Sequence, residues 1–285
     1  MEYKNFLGLG IAGNFALHLA QAGELEDFKD VITEDEAAPK GMFPFYLPCD
    51  KSASDTLEYK PKEMLYTYPL SSSAITLPKE DVNVQAEPEV GLICEIEYEG
   101  SQIKAIKPTH FGAYNDCSIR VAGASKISDK KNWGANSKGV SENLFVIDKF
   151  SEGGVMDNFS IASFLRRDGA VHPYGEDVEL NGYSYFYEKL TDWIKNQINT
   201  QKEHGPLEPI LEYINACGKP EKLLVSIGAT RYTPYGETTF LKPNDEVIVV
   251  VYNNKETSAD AVVQAVNDAN YDTEIMSVLA QKVKN

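Results

Sequence analysis

Apolar and polar positions alternate through residues 90–100, VGLICEIEYEG, and alternation of that length predicts a half-buried β-strand. The surrounding segment 74–121 reads as further β structure, with YEGSQ as a hairpin turn, and SENLFVIDKF (141–150) also leans to strand. In 166–183, RRDGAVHPYGEDVELNGY, Asp168-Gly169 marks a two-residue hairpin turn. The pattern then changes period. Phe186, Leu190, Trp193, Ile194 and Ile198 form one helical stripe in YSYFYEKLTDWIKNQINTQKEH (183–204). PLEPILEYINACG (206–218) predicts a second helix, started by proline and stopped by Gly218. Residues 223–252 supply two strands around a glycine-rich turn. The last thirty residues predict two helices, SADAVVQAVNDA (258–269) and DTEIMSVLAQKV (272–283). Near the N-terminus a short helix is expected over 14–21, closed by Gly23. GMFPFYLP (41–48), with two prolines, fits an extended edge segment, and 50–73 a polar surface excursion.

Strand follows strand through the centre, and the long helices come late. That order predicts a β-rich α+β fold with mixed sheets and peripheral helices, not a doubly wound nucleotide fold. The expected organisation is an N-terminal strand-helix segment and loop over 1–80, a β-rich domain over 81–252 and a helical extension over 253–285, packed as one compact unit. Gly8, Gly10 and Gly13 spell the G-x-G-x-x-G of dinucleotide sites, with Tyr3–Leu7 as a possible strand and Glu34 or Asp35 as a possible ribose ligand. A nucleotide-dependent oxidoreductase would also need a parallel sheet, which the element order does not predict.

The chain has 285 residues and a formal charge of −16, which argues against nucleic acid or an anionic membrane as partner. No apolar run approaches the roughly 18–20 residues of a membrane span. No basic stretch followed by an apolar core marks a secretory signal. Cys49, Cys94, Cys117 and Cys217 lack C-x-x-C spacing, so reduced thiols in a cytoplasmic protein are expected.

Eight segments occur in order: GNFALHLAQ (13–21), FPFYLP (43–48), ITLP (75–78), PEVGLICEI (88–96), YNDCSIR (114–120), NSKGVSENLFVI (136–147), IGATRYTPYG (227–236) and FLKPNDEVIVVV (240–251). Together, over about Phe6 to Tyr252, they resemble the fumarylacetoacetate hydrolase family. The resemblance implies a β-roll or sandwich, commonly a homodimer, that acts on small carboxylated keto compounds with Mg²⁺ or a similar cation (Mn²⁺ or Ca²⁺). It implies Glu89 and Asp116 as metal ligands, and a carboxylate on such an apolar strand needs a cation or hydrogen bonds in any case. It implies His18 as the base that activates water, Lys138 as a fixed positive charge beside a developing oxyanion, and Gln21 as an orienting residue. Asn115, Arg120, Gly228 and Thr230 would line the substrate site. Gly8 and Gly10 would end a strand and aim the helix that carries His18.

The chain departs from the family pattern at four places. In the register taken for the E-x-E pair, its second glutamate is Gly91; Glu95 shares that strand face but lies about 13 Å beyond Gly91. A rival register pairs Glu95 with Glu97. Gln21 stands where glutamate is expected, Leu47 where lysine is, and Ala229 where threonine is, unless Thr230 shifts into place. Two functions stay open on these residues: hydrolase, decarboxylase, hydratase or isomerase chemistry at an altered site, or a degenerate relative that binds a small ligand or partner. The plain readings are a packed His18, an edge-strand Glu89, an Asp116–Arg120 bridge and a solvated Lys138. His172 could face the pocket or the surface, and His110 and His204 fit surface or loop positions.

Overall fold

The computed structural model describes residues 3–28, 31, 33, 35, 37–121 and 123–285. Glu34, one candidate ribose ligand, lies outside the described residues. The N-terminal part contributes β1 (Leu7–Ala12), the single turn α1 (His18–Gln21), β2 (Gly41–Tyr46), β3 (Ala74–Thr76) and β4 (Asn83–Gln85). The long hairpin β5 (Pro88–Glu99) and β6 (Gln102–Asn115) follows, then the short strands β7 (Ser118–Arg120), β8 (Gly139–Val140) and β9 (Phe145–Val146). A second hairpin, β10 (Phe159–Arg167) and β11 (Ala170–Glu179), turns at Asp168 and Gly169, both with positive φ as a tight two-residue turn requires. Then come α2 (Tyr187–Thr200), α3 (Ile210–Ala216), β12 (Lys222–Ser226), α4 (Pro234–Thr238), β13 (Glu246–Asn253), α5 (Ala259–Asp268) and β14 (Met276–Lys284).

The strands form a first sheet in the order β2-β1-β12-β5-β6-β8, with β9 also on β6, and a second in the order β11-β10-β13-β14-β3. Pairing is antiparallel except for β1 with β12 and β3 with β14. The fold is α+β, β-rich, with mixed sheets. One continuous apolar core draws on both: Leu7, Leu9 and Ile11 of β1, Phe111 of β6, Val247, Val249 and Val251 of β13 and Leu279 of β14. Leu190, Ile194 and Ile198 of α2 close this core, and Asn199 bonds both backbone groups of Ile103 to hold the helix on β6.

Two expectations are corrected. Residues 276–284 are a strand, not a helix, and β14 lies between β13 and β3 inside the second sheet. Its core-facing side carries Ser277 and Gln281 beside Leu279 and Val283, so the two-residue period is masked by buried polar groups. Those groups are used. The Gln281 amide donates to the carbonyls of Ser71, Ala74 and Lys138 and accepts from Asn115. Second, the cysteines are not all reduced: Cys49 and Cys217 form a disulfide across 168 residues, while Cys94 and Cys117 are buried free thiols. Only the fold brings Cys49, after β2, to the end of α3.

Candidate functional site

Glu87 and Glu89 flank Pro88 at the start of β5, and Asp116 follows the last residue of β6. Pro88 pairs with Asn115 in the register of the hairpin, which brings Glu87 opposite Asp116. Two bonds fix this junction: Asp116 N donates to Glu87 O at 2.9 Å, and the Asn115 side chain accepts from Glu87 N at 3.1 Å. The three buried carboxylates each offer an oxygen within 4.8 Å of the others. The two glutamates that the fold brings to Asp116 are therefore Glu87 and Glu89, on either side of Pro88, whereas position 91 lies outside the cluster. A side chain at Gly91 would start 3.2 Å from Tyr114 Cβ, packed against Tyr114 and Leu224. Glu95 and Glu97, the rival pair, are exposed, and Glu95 binds Lys222. The Glu-Pro-Glu signal was present in the sequence one repeat earlier than the register chosen.

Basic side chains enclose the carboxylates. Lys131 Nζ lies 2.6 Å from Glu87 Oε2 and 2.6 Å from Asp116 Oδ2, and Lys138 Nζ lies 2.5 Å from Asp116 Oδ1. Arg120 Nη2 is 2.8 Å from Glu87 Oε1, outside hydrogen-bond geometry, and donates to Tyr232 Oη. Its other donors reach Glu24 and Gln85, and Lys130 also binds Glu24. Sequence reasoning missed Lys131 and Glu24, because a lysine in a polar loop and a glutamate in an acidic one carry no spacing signal.

The two glutamates respond to this field in opposite directions. Burial opposes ionisation of Glu87, but Lys131 and Arg120 outweigh it and hold the carboxyl well below its ordinary range. Burial, with Asp116 and Glu87 beside it, pushes Glu89 well above. Gly228 N donates to Glu89 Oε2 at 2.8 Å. Among the lysines, burial lowers Lys138, whereas the two carboxylates on Lys131 overcome burial and raise it.

The N-terminal glycines serve this site. Gly8 and Gly10 lie within β1 and do not end it. A Cβ on Gly8 would sit 2.3 Å from the Phe45 ring, and one on Gly10 would sit 2.2 Å from the Phe43 ring. Those rings, on neighbouring β2, lie under the basic groups: Lys131 Nζ is 5.1 Å from the Phe43 centroid and Lys138 Nζ 5.6 Å from the Phe45 centroid. The glycines thus make room for an aromatic floor. Gly10→Ala should lose about 1–3 kcal/mol by overpacking, measured by urea unfolding. Adding Phe43→Leu should recover part of that loss; no recovery would mean that the ring is not what the glycine accommodates.

His18 is buried, and its Nδ1 donates to the Thr230 carbonyl at 2.9 Å. A carbonyl only accepts, so Nδ1 carries the proton and Nε2 keeps the lone pair of the neutral ring. Burial lowers the His18 pKa, with Glu87, Arg120, Glu24 and Lys131 as its charged neighbours. Thr230 N donates to Pro88 O, so residues 228–230 tie the glutamate pair to the histidine. Gln21 does not hold His18: its amide bonds both backbone groups of Tyr232. Leu47 is a fully buried core residue, and His172 stacks on Tyr235.

A family model matches residues 24–283, nearly the whole chain. The chain belongs to the family of unknown function DUF5718. No curated protein matches this DUF5718 chain. Solved structures do. Cg1458 with inhibitor aligns at a TM-score of 0.55 and 12% identity, covering 98% of this chain and 77% of that one. The 2-keto-3-deoxy-D-arabinonate dehydratase complexed with magnesium and 2,5-dioxopentanoate gives 0.53 and 15%, covering 98% and 72%. Yeast ynq8, a fumarylacetoacetate hydrolase family protein, gives 0.51 and 14%, covering 99% and 94%. The DUF5718 chain has the fumarylacetoacetate hydrolase fold.

Proposed function

We propose that this DUF5718 chain is a divalent-metal-dependent enzyme of the fumarylacetoacetate hydrolase type that acts on a small carboxylated keto compound. The observation that carries this reading is the buried cluster of Glu87, Glu89 and Asp116, three hard oxygen donors within 4.8 Å of one another. The donor set fits Mg²⁺, Mn²⁺ or Ca²⁺, and a carboxyl that burial and its neighbours drive towards protonation is one that a cation would restore to its charged form. The intact Glu87-Glu89 pair removes the main ground for a degenerate, metal-free relative.

When bound, the cation supplies positive charge to two adjacent oxygens of a keto acid. The chain's residues do the rest. His18, neutral and fixed in one tautomer by Thr230, presents Nε2 as the base for water. Lys138 and Arg120 hold the far oxygens of Asp116 and Glu87 and keep those carboxylates in place. The Phe43 and Phe45 rings exclude water beneath the lysines.

Calorimetric titration of metal-stripped protein with Mg²⁺ and Mn²⁺, with and without oxalate, tests the reading. Binding that oxalate strengthens and Asp116→Ala removes supports it. No uptake at millimolar metal ends it. A screen of acylpyruvates and β-keto acids then selects among hydrolysis, decarboxylation, dehydration and isomerisation. His18→Gln should lower turnover on any substrate found by about 10²–10⁴ and leave Mn²⁺ affinity within about threefold. Since burial lowers the His18 pKa below 6.5, activity should persist under that pH and fall only further down. A homodimer belongs to the same proposal, and sedimentation velocity would show it at twice the 31.6 kDa chain mass.

A further inference from the structure

We propose that Lys131 is a resident competitor for the divalent cation: its ammonium joins Glu87 to Asp116 in the metal-free protein and must withdraw before a metal ion takes the same oxygens. The proposal rests on the metal reading above and concerns what controls loading of that site.

Each of the two carboxylates has a division of labour between its oxygens. Glu87 Oε1 faces Arg120 and Asp116 Oδ1 faces Lys138, whereas Glu87 Oε2 and Asp116 Oδ2 both belong to Lys131, at 2.6 Å each. Hard divalent cations sit about 2.0–2.6 Å from their oxygen ligands. The Lys131 nitrogen therefore occupies the position that a cation shared by those two oxygens would need. Arg120 and Lys138 can stay while the site loads, because they hold the other oxygen of each carboxylate. Lys131 cannot stay: a unit charge that close to a dication, in a partly screened interior, lowers affinity by about tenfold or more. Its flat neighbour, the Phe43 ring 5.1 Å away, offers the ammonium a face but no countercharge. Withdrawal is favoured when an anion arrives for Lys131 to bind. The carboxylate of a keto acid is such an anion, and metal and substrate uptake become mutually reinforcing through this one side chain.

The test uses the full-length, metal-stripped protein as wild type, Lys131→Met and Lys131→Gln, titrated with Mn²⁺ with and without oxalate. The expected result is tenfold or tighter Mn²⁺ binding by the variants without oxalate, and a smaller gain on adding it. Variant melting in chelator should fall below wild type and be raised more by Mn²⁺. Amine labelling read by mass spectrometry gives an independent measure on unaltered protein. Lys131, buried in the metal-free state, should gain reactivity when Mn²⁺ saturates the site. Equal or weaker Mn²⁺ binding by the variants, or unchanged Lys131 labelling at saturation, overturns the proposal while the metal reading stands. Absence of Mn²⁺ uptake in all three proteins overturns both.

Discussion

Asp116→Ala should destabilise the metal-free protein by about 3–5 kcal/mol and abolish binding of Mg²⁺ and Mn²⁺. The stability loss follows from what the substitution strands. Lys131 and Lys138 are almost fully buried, and Asp116 gives one oxygen to each. Removing it leaves Lys138, among the described residues, with a 3.4 Å contact to the Cys117 carbonyl and the Phe45 ring, and Lys131 with Glu87 and the Phe43 ring. An uncompensated buried ammonium costs far more than the pair contributes. Asp116→Asn should be milder, since the amide oxygen still accepts one bond, yet it should also lose the metal. Guanidinium unfolding with chelator present measures the first effect and calorimetry the second. A loss under about 1 kcal/mol would place Asp116 among ordinary surface pairs and contradict the buried cluster.

Metal affinity should rise about tenfold per pH unit on the acid side and level off above the raised Glu89 value. Burial, Asp116 and Glu87 disfavour the charge on Glu89 in the metal-free fold, and below its raised value a cation must displace the proton. Titration in buffers of different ionisation enthalpy should count close to one proton released per metal. Glu89→Gln should remove the slope together with most of the affinity. The apoprotein follows the same sign. The folded state keeps the Glu89 proton that the unfolded chain loses above 4.5, so Glu89 contributes most below that value, and its contribution declines as pH rises towards the folded value. Glu87, held low, acts in the other direction: its contribution is present above 4.5 and is lost as pH falls through its depressed folded value. A flat affinity profile with no proton release would mean that Glu89 is already ionised and that its partners were misassigned.

Much of this was legible in the sequence, and the failures have physical causes. The β5-β6 hairpin, the Asp168-Gly169 turn and the α2 stripe were readable because each buries one face, so polarity reports geometry. β14 was not, because its inward side mixes Leu279 and Val283 with Ser277 and Gln281, whose hydrogen bonds exist only once β6 and the loop at Ser71 are in place. The glutamate register slipped because Pro88 interrupts the alternation between the two acids. Gly8 and Gly10 announced that something must come close, but not that it was a pair of phenyl rings on the neighbouring strand. Lys131 gave no sign at all. Its role depends on a turn after β7 that brings it back over two carboxylates far from it in sequence.

The position of β14 also sets an order of events during synthesis. β3, at residues 74–76, hydrogen-bonds within the second sheet to residues 282–284 alone, and β1 needs residues 223–226 as its parallel partner. Gln281 likewise adds a bond to the Lys138 carbonyl, which also accepts from Ser71 N. Until residues 276–284 are made, β3 and the outer edge of β13 therefore lack the strand that joins them. Completion of the second sheet is a late step, tied to the arrival of β14.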